Sequence, residues 1–144
     1  MIPNSERTLI LIKPDGIQRG LISTVIRKFQ NKAFQLIALK LSNPPIQVFK
    51  EHYIEHQHKP FYNDTVQYMI TGPVCIMVWE GIDVIAQSRK LNGATHPTQS
   101  DIGTIRGDYA LDMARGIVHA SDSIEAANRE IKLWFNENEI VKYL

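Results

Sequence analysis

The sequence has few of the features that mark a secreted or membrane-bound protein. It contains a single cysteine, Cys75, so it cannot form an internal disulfide or a zinc site built on a cysteine pair. Its longest apolar run, residues 74–79, is far shorter than the roughly 20 residues of a membrane-spanning helix. The N-terminal residues 1–7 lack the basic and apolar segments of a signal peptide. These absences predict a cytoplasmic protein without a membrane segment.

The sequence also lacks an excess of charge of either sign. Sixteen Lys and Arg residues against 15 Asp and Glu residues give a net charge of +1. A balance so close to neutral does not favour a protein whose main partner is nucleic acid or an acidic membrane. The hydrophobic content of 44% over 144 residues is typical of one globular domain, which we place at residues 1–144.

The common nucleotide-binding loops, G-x-x-x-x-G-K-[ST] and G-x-G-x-x-G, are missing as well. Residues 52–56, H-Y-I-E-H, do match the H-x-x-E-H pattern of a zinc metalloprotease class, with His52 and His56 one helical turn apart. Because so short a pattern is easily met by chance, a solvated helix face is the favoured interpretation and a metal site the alternative.

Hydrophobic periodicity predicts alternating strands and helices. Short runs rich in aliphatic residues predict strands at 8–13, 34–41, 74–80 and 116–119, and Pro14-Asp15-Gly16 predicts a turn after the first. Helical spacing begins at Leu21 and recurs at 46–56, 62–70 and 83–91, and again after Asp122 or Ser123, either of which could cap the last helix. Residues 92–108 show no sustained period and predict a long, functional loop. The order fits an α+β domain of two split β-α-β units on one sheet.

Five residues capable of binding or attacking a phosphate occupy separate strand ends and loops: Lys13, Arg89, Thr95, Arg106 and His119. Arginine donates paired bonds that match phosphate oxygens, and lysine adds a point charge. His119 lies between a strand and a helix start, where backbone N–H groups favour anions, and neutral imidazole is nucleophilic near pH 7. These residues predict an anion site, although surface arginines and a capping histidine would give the same pattern.

Four separated segments then resemble the nucleoside diphosphate kinase family in the same order. They are T-L-I-L-I-K-P-D-G at 8–16, G-P-V-C-I-M-V-W-E-G at 72–81, G-T-I-R-G-D at 103–108 and H-A-S-D-S at 119–123. The resemblance extends from about Glu6 to about Phe135. It implies a ferredoxin-like βαββαβ domain, a four-stranded antiparallel sheet with helices packed on it, and a homo-oligomer, with a hexamer favoured over a tetramer.

The resemblance also implies a reaction and a site. The γ-phosphate of a nucleoside triphosphate, typically ATP, would pass to a nucleoside diphosphate with Mg²⁺, by a ping-pong mechanism through phosphorylated His119 and with broad base tolerance. Glu130 and Ser121 match the residues that orient the imidazole, and Asp122 matches a buried structural acid. Protein side chains would not hold the Mg²⁺ directly, because the nucleotide phosphates supply its ligands. The nucleotide contacts would come from Lys13, Tyr53, Phe61, Arg89, Thr95, Arg106, Met113 and the position of Gly116, with Lys13 and Tyr53 also serving catalysis.

Gly116 is the main departure from the family pattern. Relatives usually carry an asparagine there, whose side chain bonds a ribose hydroxyl, and one lost neutral hydrogen bond costs about 0.5–1.5 kcal/mol. Two hypotheses follow: an active nucleoside diphosphate kinase, and a catalytically weakened member with a nucleotide-binding or regulatory role. Nucleic-acid binding is a third hypothesis, which the net charge of +1 does not support.

Overall fold

A four-stranded antiparallel sheet forms the centre of the computed structural model, which describes residues 5–143. The strands are β1 (Glu6–Ile12), β2 (Gln35–Ser42), β3 (Val74–Gly81) and β4 (Val118–Ala120). Their spatial order is β2-β3-β1-β4, and every neighbouring pair is antiparallel. The two longest-paired strands, β1 and β3, therefore lie in the middle of the sheet, where their aliphatic residues are buried on both faces. The predicted α+β class and the four-stranded antiparallel sheet are confirmed.

Helices cover both faces of this sheet. They are α1 (Pro14–Gln18), α2 (Ile22–Asn31), α3 (Ile46–His52), α4 (Tyr62–Met69), α5 (Val84–Asn92), α6 (Ile105–Tyr109) and α7 (Ile124–Trp134), with 3₁₀ turns at Ile54–His56, Pro97–Gln99 and Glu137–Glu139. Of the two candidate caps for the last helix, Ser123 is the one observed, because its hydroxyl accepts the Ala126 amide hydrogen at 3.0 Å. None of the helices within residues 5–143 has the length and apolar character needed to cross a bilayer.

Alternation along β1 builds two separate hydrophobic layers. Ile10 and Ile12 point to a cluster that contains Phe29 of α2 and Trp79 of β3, whereas Leu9 and Leu11 point to the opposite cluster. The second cluster contains Phe49 of α3 and Trp134 of α7, whose rings lie 5.7 Å apart between centroids. Burial of these side chains is the main favourable contribution to folding. The contact between Phe49 and Trp134 holds α3 beside α7. Both helices contribute residues to the candidate site described below.

The structure corrects three of the predicted elements. Residues 14–16 belong to helix α1 rather than to a turn, because Pro14 occupies the first helical position, where its missing N–H costs nothing. The helix predicted at 46–56 ends at His52 and is followed by a separate 3₁₀ turn. The segment 92–108, predicted to be a loop, contains the 3₁₀ turn at Pro97–Gln99 and all of α6 except its last residue.

The fourth strand begins two residues later than predicted. Residues 116–119 were expected to be extended, but Ile117 has a φ of 71° and the strand starts at Val118. A β-branched residue with positive φ cannot continue a strand. The apolar pattern of the sequence does not reveal this positive φ.

Candidate active site

The predicted nucleophile and its predicted partners lie together where β4 meets α7. His119 pairs with Leu11 of β1 across the sheet, and its Nε2 lies 2.8 Å from Oε1 of Glu130. The hydroxyl of Ser121 donates to the same carboxylate oxygen at 2.9 Å. Ser121 and Glu130 are buried, while the His119 side chain keeps 19% of its surface exposed. The site therefore holds a fixed imidazole with one side open to a ligand.

The chemistry of this contact decides which imidazole nitrogen is free. Because a carboxylate accepts hydrogen bonds, His119 donates its Nε2–H, and the lone pair is on Nδ1. Burial, followed by the nearby charges of Lys13 and Arg106, lowers the pKa of His119 to about 3, so the ring is neutral near pH 7. Burial raises the pKa of Glu130, which the hydrogen bond from Ser121 opposes. A neutral imidazole with a free Nδ1 is a competent nucleophile.

The charges of three cationic side chains, Lys13, Arg106 and Arg89, act on the nucleophile. Arg106 in α6 is anchored by donating to the carbonyl oxygens of Gly93, at 2.8 Å, and Val118, at 2.7 Å. Burial lowers the pKa of Arg106, and the charge of the neighbouring Arg89 lowers it further. Burial, with the charge of Arg106, also lowers the pKa of Lys13 to about 8. This concentration of positive charge is what a polyphosphate site needs, and it occurs in a chain with a net charge of only +1.

The position of Gly116 lies directly beside these cations. A Cβ atom there would be 3.5 Å from Nε of Arg106 and 3.9 Å from Nζ of Lys13. Its third neighbour, at 3.4 Å, would be the backbone carbonyl oxygen of Met113. Gly116 therefore lies beside two of the cationic side chains and the Met113 backbone.

Tyr53 packs edge-on against the nucleophile. The two ring centroids lie 6.0 Å apart at an angle of 82°. Burial raises the pKa of Tyr53, so its hydroxyl stays protonated. This hydroxyl is buried and has no partner in the described part of the chain, which leaves a donor available to a ligand.

The remaining predicted contacts lie further out. Arg89 and Thr95 line one surface pocket together with Gly93 and Thr104. Phe61 immediately precedes α4 and is 52% exposed, and the Met113 side chain is 54% exposed. Within residues 5–143, the ring of Phe61 contacts His56 and Lys59 rather than His119. Exposed rings of this kind are suited to stacking on a ligand.

A histidine next to the nucleophile, and the tryptophan that bonds it, were not predicted as site residues. The ring of His52 lies 4.4 Å from that of His119, and Trp134 donates its indole N–H to Nδ1 of His52 at 3.0 Å. The prediction of a solvated face for the H-x-x-E-H segment is therefore wrong at His52, which is 2% exposed. Its place one turn after buried Phe49 was the sequence signal that could have shown this.

The metal alternative for this segment does not fit the structure either. His52, His119 and Glu130 offer ligand atoms within 4.8 Å of one another, whereas His56 belongs to the following 3₁₀ turn. The indole N–H of Trp134 makes Nδ1 of His52 the acceptor, so Nε2 carries the ring proton and has no lone pair for a metal.

The predicted burial of Asp122 is also wrong. Asp122 was expected to be a buried acid, but its side chain is exposed just before the cap of α7. Its charge still acts on the site, because it raises the pKa of His119 against the larger lowering by burial.

Comparison with known proteins gives a consistent identification. The family model described as nucleoside diphosphate kinase matches residues 6–140. Proteins named nucleoside diphosphate kinase from Aspergillus fumigatus and Eremothecium gossypii are 49% and 50% identical over 140 residues, which cover 97% of this chain and 92% and 93% of those proteins.

Comparison with solved structures points to the same family. A nucleoside diphosphate kinase family protein from Babesia bovis is 45% identical, with a TM-score of 0.93 over 96% of this chain and 94% of that one. A halophilic nucleoside diphosphate kinase from Halobacterium salinarum, solved in complex with CDP, is 40% identical, with a TM-score of 0.94 over 97% and 93% of the two chains. A match of this extent in both sequence and structure leaves one conclusion: the chain belongs to the nucleoside diphosphate kinase family.

Proposed function

We propose that this phosphotransferase moves the γ-phosphate of a nucleoside triphosphate to a nucleoside diphosphate through phosphorylated His119. The observation that carries the proposal is the hydrogen bond from Nε2 of His119 to the buried Glu130 carboxylate, which directs the Nδ1 lone pair away from α7. In the first half-reaction Nδ1 forms a bond to the γ-phosphorus. The bond from phosphorus to the bridging oxygen breaks, and the diphosphate leaves with the electron pair. The second half-reaction is the reverse, with a different diphosphate as acceptor.

The cationic side chains supply the electrostatic part of this mechanism. Phosphoryl transfer has a loose transition state with charge on the equatorial oxygens, so positioning and charge stabilisation provide most of the catalysis. The charges that would serve this purpose are those of Lys13, Arg89 and Arg106. Each of them lowers the pKa of His119, and Arg89 also lowers the pKa of Arg106. The unpartnered Tyr53 hydroxyl is a further donor, and Thr95 is a neutral one. Glu130 and Ser121 would hold the imidazole while it gains and loses the phosphoryl group.

The substrates are proposed to be nucleoside di- and triphosphates of any common base. The exposed faces of Phe61 and Met113 support this, because stacking and apolar contact do not distinguish one base from another. The structure of the halobacterial relative in complex with CDP supports a pyrimidine nucleotide among the ligands of this site.

A divalent metal is expected for this family, and we propose Mg²⁺. The side chains grouped around the phosphate site are cationic, so they do not offer the oxygen ligands that Mg²⁺ prefers. The nucleotide phosphates would therefore hold the metal, which would neutralise charge on the transferred group.

A homo-oligomer, with a hexamer favoured over a tetramer, is also proposed. The edge strand β2 leaves Leu39 and Leu41 51% and 63% exposed. Near the start of this edge the Val141 amide donates to the Ile37 carbonyl oxygen at 2.8 Å. Sedimentation or mass measurement of the intact assembly tests the oligomeric state. A cytoplasmic location stays a prediction, in line with the single buried thiol of Cys75.

Steady-state kinetics with several nucleotides test the proposed reaction. A ping-pong enzyme gives parallel lines in double-reciprocal plots, and broad base tolerance gives similar kcat/KM for purine and pyrimidine diphosphates. Converging lines would contradict the phosphohistidine route. Measurable nucleotide binding with negligible turnover would favour the weakened member that Gly116 suggests.

A further inference from the structure

The backbone just before the nucleophile is held in a strained conformation. The amide of Val118 donates to the carbonyl oxygen of Gly116 at 2.7 Å, and Ile117 between them has a φ of 71°. This bond and this angle define the rare form of the γ-turn, in which the central residue has positive φ. A β-branched residue in that region is an outlier, and such outliers persist only where surrounding contacts hold them.

Asp15 provides the contacts that hold this turn. Its Oδ2 accepts the Ile117 amide hydrogen at 3.0 Å, and the Lys13 amide donates to the Ile117 carbonyl oxygen at 2.7 Å. The Asp15 side chain is buried, so the carboxylate is fixed and its bonds are shielded from water. Gly16 permits this approach, because a Cβ atom there would be 3.0 Å from Cγ2 of Ile117.

Tyr68 fixes the other side of the same carboxylate. Its hydroxyl donates to Oδ1 of Asp15 at 2.6 Å and accepts the Asp15 amide hydrogen at 3.1 Å. Burial, with this hydrogen bond, raises the pKa of Tyr68, so the hydroxyl remains a donor. Both carboxylate oxygens of Asp15 therefore have a specific partner.

These contacts connect two parts of the candidate site that are distant in the sequence. Tyr68 lies near the end of α4, the helix that Phe61 precedes at its other end. Ile117 lies two residues before His119, and its Asp15 partner follows Lys13 after one intervening residue. Hydrogen bonds therefore connect Tyr68 of α4 through Asp15 to Ile117, which directly precedes the strand β4 that carries His119.

We propose that Asp15 and Tyr68 are positioning residues that hold the strained turn at Ile117 and thereby aim Nδ1 of His119 at the γ-phosphorus. The proposal rests on the proposed function of His119. Neither residue touches the reacting atoms, so their loss alters the alignment of the nucleophile. Because the charge of Asp15 also raises the pKa of Lys13, the variants are compared well below pH 8, where the cationic contacts to the nucleotide remain. The expected effect falls on the rate of phosphoryl transfer and not on nucleotide affinity.

Tyr68→Phe tests the proposal with minimal change of volume. We expect the single-turnover rate of His119 phosphorylation by ATP to fall about 10-fold, the lower end for a lost hydrogen bond to a charged acceptor, because the bond from Ile117 to Oδ2 of Asp15 is kept. The nucleotide Kd should stay within about twofold. Tyr62→Phe is the matched control on the same helix, because among residues 5–143 its hydroxyl bonds only the Lys50 carbonyl oxygen. It should leave the transfer rate unchanged. Equal rates for Tyr68→Phe and the unaltered protein would overturn the proposal.

Asp15 variants give a second, graded test. Asp15→Ala removes the acceptor and should slow transfer about 10- to 100-fold, because bonds to a charged acceptor are stronger. Asp15→Asn should recover part of this loss, about 2- to 12-fold, since its neutral oxygen can accept from Ile117 and its amide can donate to the Tyr68 oxygen. Equal loss in both variants, or a loss in Kd rather than in rate, would contradict positioning.

Amide hydrogen exchange separates this proposal from the function on which it rests. In Tyr68→Phe the amides of Ile117 and Val118 should exchange faster, while amides in the centre of β1 keep their protection. If the unaltered protein forms no phosphohistidine, the proposed function fails, but the exchange result still decides whether Tyr68 holds the turn. Unchanged exchange at Ile117 and Val118 would overturn the positioning role even in an active enzyme.

Discussion

Replacement of Gly116 by asparagine is the perturbation that bears most directly on how active this chain is. A Cβ atom at position 116 would lie 3.4–3.9 Å from its nearest neighbours, which is ordinary van der Waals contact. The Cβ atom displaces no neighbouring atom and lies beside Arg106 and Lys13. The family resemblance implies that an asparagine there bonds the ribose hydroxyl, which glycine cannot do.

The size of the effect follows from one hydrogen bond. A neutral hydrogen bond contributes about 0.5–1.5 kcal/mol, so Gly116→Asn should raise kcat/KM about 2- to 12-fold. The same change removes a glycine from the unfolded chain, which should raise the free energy of unfolding by about 0.4–1 kcal/mol. Gly116→Ala is the matched control, because it shares the backbone effect and lacks the amide.

Two assays on three proteins separate these contributions. Initial rates with ATP and a series of diphosphates give kcat/KM, and thermal unfolding gives the stability. We expect both variants to be more stable than the unaltered protein and only Gly116→Asn to be more active. An equal gain in activity for Gly116→Ala, or no gain for Gly116→Asn, would refute the assignment of position 116 to the ribose. A gain far above the range of one hydrogen bond would favour the weakened member over the fully active enzyme.

Further predictions concern the charges around the nucleophile. Because the pKa of Lys13 is lowered to about 8, its side chain is charged below that pH and loses its charge above it. The KM for nucleotides should therefore rise above pH 8. In Lys13→Arg, which stays charged, the KM should not rise. Glu130→Gln should lower kcat about 10- to 100-fold, since the bond from His119 loses a charged acceptor; unchanged kcat would contradict the orienting role. Arg129 lies 3.7 Å from Oε2 of Glu130 and lowers the pKa of that carboxyl. Arg129→Gln should therefore raise the pH at which activity is lost on acidification, whereas Arg129→Lys should not, and identical pH profiles would refute this ion pair's effect.

Local sequence patterns were sufficient for the sheet, and the family resemblance supplied most of the site residues. The β-branched and aliphatic runs predicted the strands to within a few residues, because alternation and burial depend on neighbours along the chain. The pairing of Glu130 with His119 was implied by the family resemblance, and the hydrogen bond at 2.8 Å agrees with it. Local patterns alone were therefore sufficient for the strands and not for the roles of the site residues.

Contacts between distant segments could not be predicted from local sequence patterns. The burial of His52 depends on Trp134, which lies 82 residues away, and the Ile117 turn depends on Asp15, 102 residues away. A histidine in an H-x-x-E-H segment and an isoleucine before a strand look ordinary when only their neighbours are known. Tertiary packing decides both, so the sequence predicted a solvated histidine and an extended isoleucine.

Phosphorylation of His119 is the central claim, and chemical stability of the label tests it most directly. After incubation with ATP labelled at the γ-position and Mg²⁺, the protein should carry a phosphate that is labile to acid and stable to alkali. Addition of a nucleoside diphosphate should remove the label and yield labelled triphosphate, and His119→Gln should take up none. A label that resists acid, persists in His119→Gln, or is not passed to diphosphate would contradict the account.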